Sequence, residues 1–197
     1  MMKRSMHAIV ALLLFAALAI SCGRQQDAEY FPILEDGKQN KYSVDIAVQG
    51  RGIIKAGLVI RGAGQETING QTYHKVVALF SGMPGAQPTT TYSRYTAKGI
   101  FTVDDKHKNA PERLDPPFPL AVGTTWNTNG KGGVSEYRVE AIEALDLPNL
   151  RYERCIKISI TGPGPGVSGH QYFAPGVGMV KMVMKKDGST MEAVLEN

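Results

Sequence analysis

Two cysteines are the most reactive side chains of this 197-residue chain, and their surroundings direct them to different chemistry. Cys22 closes the run Leu18-Ala19-Ile20-Ser21-Cys22, behind the charged pair Lys3 and Arg4 and the uninterrupted apolar residues 8–20. A thiol in that position, with the small residue Ser21 before it, is placed for acylation and for cleavage of the chain on its N-terminal side. Cys155 has no such setting. No neighbour in sequence lowers its pKa and no second cysteine can resolve it, so it is expected to be buried as a small hydrophobe. Once Cys22 is acylated, Cys155 has no disulfide partner even in an oxidising compartment.

The apolar residues 8–20 are too few for a stable membrane span, which takes about 20. Residues 1–21 therefore read as a signal peptide, 22–29 as a tether and 30–197 as a single domain. The run before Cys22 resembles a bacterial lipobox, which implies cleavage by signal peptidase II and anchoring through two or three acyl chains such as palmitate. Each buried methylene contributes about 0.8 kcal/mol, so multiple acylation holds a domain firmly at a leaflet. Ala19 stands three residues before Cys22, where Leu is commoner, and leaves ordinary signal-peptidase cleavage or an uncleaved anchor as alternatives. Gly23 and Arg24 follow Cys22, and no Asp stands there as inner-membrane retention would require. The resemblance thus implies an outer-membrane lipoprotein of the cell envelope, facing the periplasm.

Other reactive residues show no paired spacing. His74, His107 and His170 are far apart, and His107 lies beside Asp104 and Asp105 in a charged stretch that reads as an exposed turn, not a metal site. Residues 162–169, Gly-Pro-Gly-Pro-Gly-Val-Ser-Gly, lack the Lys-Ser/Thr of a phosphate loop and the closing glycine of a nucleophile elbow, so they read as a hairpin connection. No cofactor is expected. The formal charge of +4 falls to +2 with loss of Lys3 and Arg4, which gives no basic footprint for nucleic acid. Met179, Met182, Met184 and Met191 concentrate near the C-terminus. Thioethers are soft and adaptable, so these four either fill a core or line a groove for an apolar ligand or partner.

The elements that must carry these residues are strands. In residues 41–49 the apolar Tyr42, Val44, Ile46 and Val48 alternate with polar neighbours, and Ile54, Ala56, Leu58 and Ile60 repeat the period until Gly62-Ala63-Gly64 interrupts it. Asn69-Gly70 predicts a type I′ hairpin turn, because both central residues need positive φ. Residues 73–80 are apolar on both faces and are expected to be covered on both. Residues 89–97 and 100–103 read as a hairpin, 104–117 as a charged, proline-bearing surface loop, and 134–147 as a strand with a possible helical turn over 140–145. In residues 151–161 the period puts Tyr152, Ile156, Ile158 and Ile160 on one face and Cys155, Lys157 and Ser159 on the other, which for a buried Cys155 requires a bulge or a second covered face. Residues 179–184 and 191–195 form a last hairpin around Asp187-Gly188.

Eight to ten strands with short turns and no helical crossovers imply an all-β fold: a single antiparallel meander sheet after an N-terminal signal helix. Such a sheet curls or closes to protect its edges, as a half-barrel, a barrel or a sandwich, and strong curvature of the half-barrel or barrel kind is expected.

Several segments together resemble an uncharacterised family of bacterial lipoproteins catalogued as TapB-like, related to a domain of unknown function. They are Tyr30-Phe31-Pro32, Ile68-Asn69-Gly70 before Thr72-Tyr73, residues 119–126 ending at Trp126, Val139-Glu140-Ala141-Ile142-Glu143, Cys155-Ile156-Lys157-Ile158 and residues 172–181 from Tyr172 to Lys181. The last is the most specific. The resemblance implies an envelope β-domain and brings no catalytic residues. The expected function is non-enzymatic: a membrane-anchored lipoprotein that binds an apolar ligand or a lipoprotein client. The alternatives are an assembly component docking an envelope protein through a strand edge or residues 104–117, and a hydrolase using His107 or His170.

Overall fold

Short turns set the topology. Asn69 and Gly70 both take positive φ (51° and 76°), as do Asp187 and Gly188 (49° and 76°), the conformation that folds a strand back on itself. The computed structural model describes residues 27–83, 85–105, 109, 111–130, 133–148 and 150–196. Its strands are β1 (Gln39–Val48), β2 (Gly52–Ile68), β3 (Gln71–Ser81), β4 (Thr89–Thr96), β5 (Gly99–Asp104), β6 (Arg113–Pro117), β7 (Thr125–Gly130), β8 (Gly133–Leu147), β9 (Leu150–Thr161), β10 (Ser168–Ala174), β11 (Gly178–Lys186) and β12 (Ser189–Leu195). They form one antiparallel sheet in the order β6-β5-β4-β3-β2-β1-β12-β11-β10-β9-β8-β7. Every neighbouring pair is consecutive in sequence except β1 and β12, where the two ends of the domain meet. The sequence reading of an all-β meander is what forms. The expected signal helix, Cys22 and His107 lie outside the described residues.

The two edge strands, β6 and β7, are themselves consecutive, and this closes the sheet. Twelve flat strands would span about 53 Å at about 4.8 Å per neighbour, whereas the link from Pro117 to Thr125 reaches about 28 Å at about 3.5 Å per residue. The sheet must curl until its edges approach, and it becomes a nearly closed barrel. Among the described residues no backbone ladder joins β6 to β7. The seam is instead crossed by the Trp126 indole, whose Nε1 donates to Asp115 Oδ1 at 2.8 Å.

The strand count exceeds the expected eight to ten mainly because of this seam. Residues 104–117 are not a loop throughout: Leu114-Asp115-Pro116-Pro117 lies in β6, paired with β5 on one side only. Proline cannot donate to a ladder, so an edge is where such a strand is tolerated. The polar β7 gives no hydrophobic alternation to read. The Gly62-Ala63-Gly64 interruption also differs from expectation, since β2 runs through it with a register shift between Gly62 and Gln65. A Cβ at Gly62 would sit 2.1 Å from the Glu35 carbonyl oxygen. The glycine therefore lets residues 34–38 cross the strand and bond to it, with Gly62 N–H donating to Lys38 O at 2.9 Å.

The register places Tyr42, Val44, Leu58 and Ala193 in one buried cluster with Ile60, Ala78, Phe80 and Leu195 packed on it. The Tyr42 hydroxyl donates to the Met179 carbonyl at 3.0 Å, tying β1 to β11 across β12. A second cluster is built from Tyr30, Leu120, Val139, Ile156 and Ile158. Cys155 is fully buried with Ala174 and Val180, and its neighbour Ile156 is fully buried in the other cluster. Successive strand residues point to opposite faces, so β9 is covered on both sides here. Arg154 at φ 55° and the register shift between Glu143 and Leu145 mark the bulge, which moves Tyr152 to the Cys155 side, against simple alternation. β3 is covered on both faces only near Tyr73; Leu79, farther along the outer face, is 41% exposed.

Tyr73 and Tyr92 lie on that outer face in a cluster with Ile68 and Val103. Two acids at the ends of the β5–β6 connection fasten it there. Asp105 accepts from the Tyr92 hydroxyl at 2.9 Å, and Glu112 accepts from the Tyr73 hydroxyl and takes a bidentate pair from Arg94 at 2.5 and 2.6 Å. The Arg94 guanidinium, which also lies over Phe101, holds the Glu112 carboxyl below its ordinary range. A depressed carboxylate pKa stabilises the fold above the unfolded value, about 4.3, and that stability is lost as pH falls through the folded value. Glu112→Gln is expected to cost about 1–2 kcal/mol near neutral pH. In urea denaturation its deficit against wild type should shrink as pH falls through the folded value; a constant deficit would show that the charge is not responsible.

Candidate functional site

The curl turns one sheet face inward, and the inner side chains leave a cavity of about 280 Å³ behind the seam. Ser93 and Tyr95 of β4, Ile100 and Thr102 of β5, and Asp115 and Pro116 of β6 form one wall; Trp126, Tyr137, Ile158, Gln171 and Phe173 of β7 to β10 form the other. Strands β4 and β9 are not sheet neighbours, so a space touching both lies inside the barrel. Strand alternation explains the selection. Ser93 pairs with Thr102 and Ile158 pairs with both Val139 and Gln171, so each lining residue presents the same face as its partners.

The segment that follows the expected tether enters the barrel next to this cavity. Asp27 is already docked, its Oδ2 accepting from Leu120 N–H at 3.2 Å, and Tyr30 is buried. Phe31 rests on Phe173 with ring centroids 4.6 Å apart. Phe31, Tyr95 and Phe173 also line a second cavity of about 150 Å³, together with Tyr42, Ile60 and Met179. The Phe31 ring, with Tyr95 and Phe173, thus stands between a mixed cavity and an apolar one.

Asp115 is the charged group of the site. It keeps some accessible surface, which faces the cavity, but protein surrounds it otherwise, and burial pushes its carboxyl above the ordinary range despite donation from Trp126 and the charge of Arg113. Arg113 is itself committed to Asp104 through two bonds of 2.8 and 3.0 Å. Trp126 is stacked on Tyr137 at 5.2 Å and 10°. Burial also pushes Tyr95 up to about 12. Thr102 is 9% exposed, and its hydroxyl has no hydrogen-bond partner among the described residues.

The methionines lie along the same interior. Met179, Met182 and Met191 pack on the Tyr42 cluster, and Met184 pairs with Met191 in register. Gln171 Nε2 reaches the Met182 sulfur at 3.7 Å. The β11–β12 register and the shift in the β10–β11 pairing bring the four methionines to one wall, and the polar half of the site is not visible in the sequence pattern. Asp115 was placed in a loop and Thr102 in an ordinary hairpin; the signal that pointed to them was Trp126, the single tryptophan, close to a proline-rich acidic segment.

The remaining reactive residues do not converge. His170 is on the outer face, 3.5 Å from Glu140, which also pairs with Lys157 at 2.9 Å. Burial and the Lys157 charge push its imidazole below the ordinary value. His74 meets the edge of Tyr95 at 6.3 Å. Burial, with Glu143 and Glu153 nearby, pushes the Cys155 thiol up to about 11, so it is no thiolate nucleophile. Among the described residues no group of three or more His, Cys, Asp or Glu is arranged to hold a metal ion, and no helix is long and apolar enough to cross a membrane.

No protein-family model matches the chain, and no curated protein is similar to it, so the TapB-like resemblance stands on the segments quoted above. Three solved structures are similar in chain path. One is a presumed exported protein with a YmcC-like fold from Bacteroides fragilis, at 14% identity and TM-score 0.46, covering 83% of this chain and 96% of that one. Another is a presumed lipoprotein from Parabacteroides distasonis, at 13% identity and TM-score 0.44, covering 85% and 97%. The third is LprF from Mycobacterium bovis, at 12% identity and TM-score 0.30, covering 91% and 92%. Similarity at this level transfers no activity to the chain.

The seam bond gives a measurable asymmetry. Trp126→Phe removes the donor and leaves the Asp115 carboxyl short of a partner, at an expected cost of about 1–3 kcal/mol in urea denaturation. Asp115→Asn keeps an acceptor and removes the ionisable group, so it should be at least as stable as wild type at pH 7. Because the folded carboxyl has the raised pKa, protonation stabilises the fold fully below the unfolded value, about 3.9, and that gain is lost as pH rises through the folded value. The asparagine variant should lack this dependence.

Proposed function

We propose that this chain is a lipid-anchored envelope protein that holds the apolar chain of a ligand or client inside its barrel. Residues 1–21 are removed, Cys22 is acylated, and the domain stands on the outer membrane facing the periplasm, tethered by residues 22–29. The observation that carries the reading is the interior cavity of about 280 Å³ with its apolar neighbour of about 150 Å³, parted by the Phe31 ring. Their size lies at the lower end of small-molecule sites, which suits a single chain better than a bulky lipid. Met179, Met182, Met184 and Met191 supply a deformable wall along the same inner face.

The tether gives the cavity its position. Four residues separate Cys22 from the docked Asp27, so the five Cα–Cα steps reach about 17 Å when extended. An acylated Cys22 would hold the barrel end that receives Tyr30 and Phe31 against the bilayer surface, so an acyl chain passing between membrane and cavity has a short path. Among the described residues no nucleophile, base and oxyanion donor converge in this interior, which favours binding over hydrolysis.

Native mass spectrometry of the full protein extracted from its own membrane should find a bound amphiphile of one acyl chain. A consistently empty protein that takes up no lipid in transfer assays would overturn the reading. Phe31→Ala should merge the two spaces and increase the affinity for longer or branched chains about tenfold, read by displacement of a fluorescent fatty probe, while Cys22→Ala should release the protein from the membrane fraction.

A further inference from the structure

The cavity is not uniformly apolar: three of its polar side chains stand on one wall and a fourth faces them. Ser93 and Thr102 are cross-strand partners on β4 and β5, and Asp115 stands on the adjoining β6. Gln171 faces them from β10. Thr102 is nine-tenths buried, and its hydroxyl is unpartnered among the described residues. A buried hydroxyl with no partner costs about as much as a lost hydrogen bond, so a site that retains one is built for a group that arrives later. Asp115 accepts from the Trp126 indole through one oxygen, at 2.8 Å, and a carboxylate has acceptor capacity beyond that one bond.

We propose that Thr102, Asp115 and Gln171, with Ser93, form a polar subsite that receives the uncharged, hydroxyl-bearing head of a single-chain amphiphile. This rests on the reading of the barrel as an acyl-chain site and adds the chemistry of the head. A diol or glycerol head donates to Asp115, exchanges donor and acceptor with Thr102 and Ser93, and accepts from the Gln171 amide, whose Nε2 donates to the weak Met182 sulfur acceptor at 3.7 Å. An anionic head is disfavoured. Among the described residues no Lys or Arg lines the cavity, and the nearby Arg113 is occupied by Asp104. A carboxylate or phosphate would be set beside Asp115 in a poorly hydrated space without a counter-charge. A cationic head meets the same loss of hydration beside a carboxyl for which burial favours the neutral form.

Trp126 is the single tryptophan of the chain and forms part of the cavity wall, so its emission reports on the site directly. The test uses the full chain reconstituted in phosphatidylcholine vesicles, with 1-monodecanoylglycerol, decanoate, decylamine and the hydrocarbon decane as probes. Monodecanoylglycerol should shift Trp126 emission saturably and bind at least tenfold more tightly than decanoate or decylamine. Thr102→Val should weaken monodecanoylglycerol about tenfold, leave decane unchanged and raise the melting temperature, since it removes the unpaired hydroxyl; Thr102→Ser should restore binding. A purely structural Thr102 would raise the melting temperature without changing affinity. Equal binding of decanoate, preferred binding of decylamine, or unchanged affinity in Thr102→Val overturns the polar subsite while sparing the acyl-chain reading. Silence of Trp126 toward all four probes, with none retained by the protein, overturns both.

Discussion

The link between β6 and β7 is the constraint on which the rest of this structure depends. These strands follow one another in the chain yet stand at the two edges of a twelve-stranded sheet, and residues 118–124 are too short to join the edges of a flat one. Curling is therefore compulsory, and it converts an amphipathic meander into an enclosed interior. The pairing of β1 with β12 serves the same end from the opposite side, because it continues the sheet where the two halves of the chain meet. Inner residues such as Tyr42, Leu58, Ile158 and Ala193 are buried by closure as much as by any one strand pairing.

Closure is incomplete, and the incompleteness falls where the polar chemistry is. A ladder between β6 and β7 would satisfy backbone groups and seal the barrel; instead a side-chain bond from Trp126 to Asp115 crosses the seam. A single hydrogen bond is a weak lock compared with a ladder. The same bond sets a carboxyl group in the cavity wall beside the Trp126 ring. Position and polarity thus come from one feature of the topology.

Around this interior the chain is secured at two places. Residues 27–32 dock through Asp27, Tyr30 and Phe31, and Asp105 and Glu112, at the borders of the β5–β6 connection, bond to Tyr92, Tyr73 and Arg94 on the outer face.

The sequence by itself determined the strands with strong period-two patterns, the Asn69-Gly70 and Asp187-Gly188 turns and the antiparallel meander, because these depend on local pleat and turn conformation. It also determined the expectation at Cys22, which depends on a contiguous run. Closure was decided by tertiary structure, since width and link length are properties of the whole sheet. So were the bulge at Arg154, which the buried Cys155 left open against a second covered face, and the register shift beside Gly62, where residues 34–38 cross the strand. The four methionines were legible as an apolar group, but their common wall required the β11–β12 register. Asp115, Trp126 and Thr102 were not legible as a site at all: the β5–β6 pairing sets Thr102 and Asp115 on adjoining strands, and only the curl that brings opposite edges of the sheet together carries Trp126 of β7 to them.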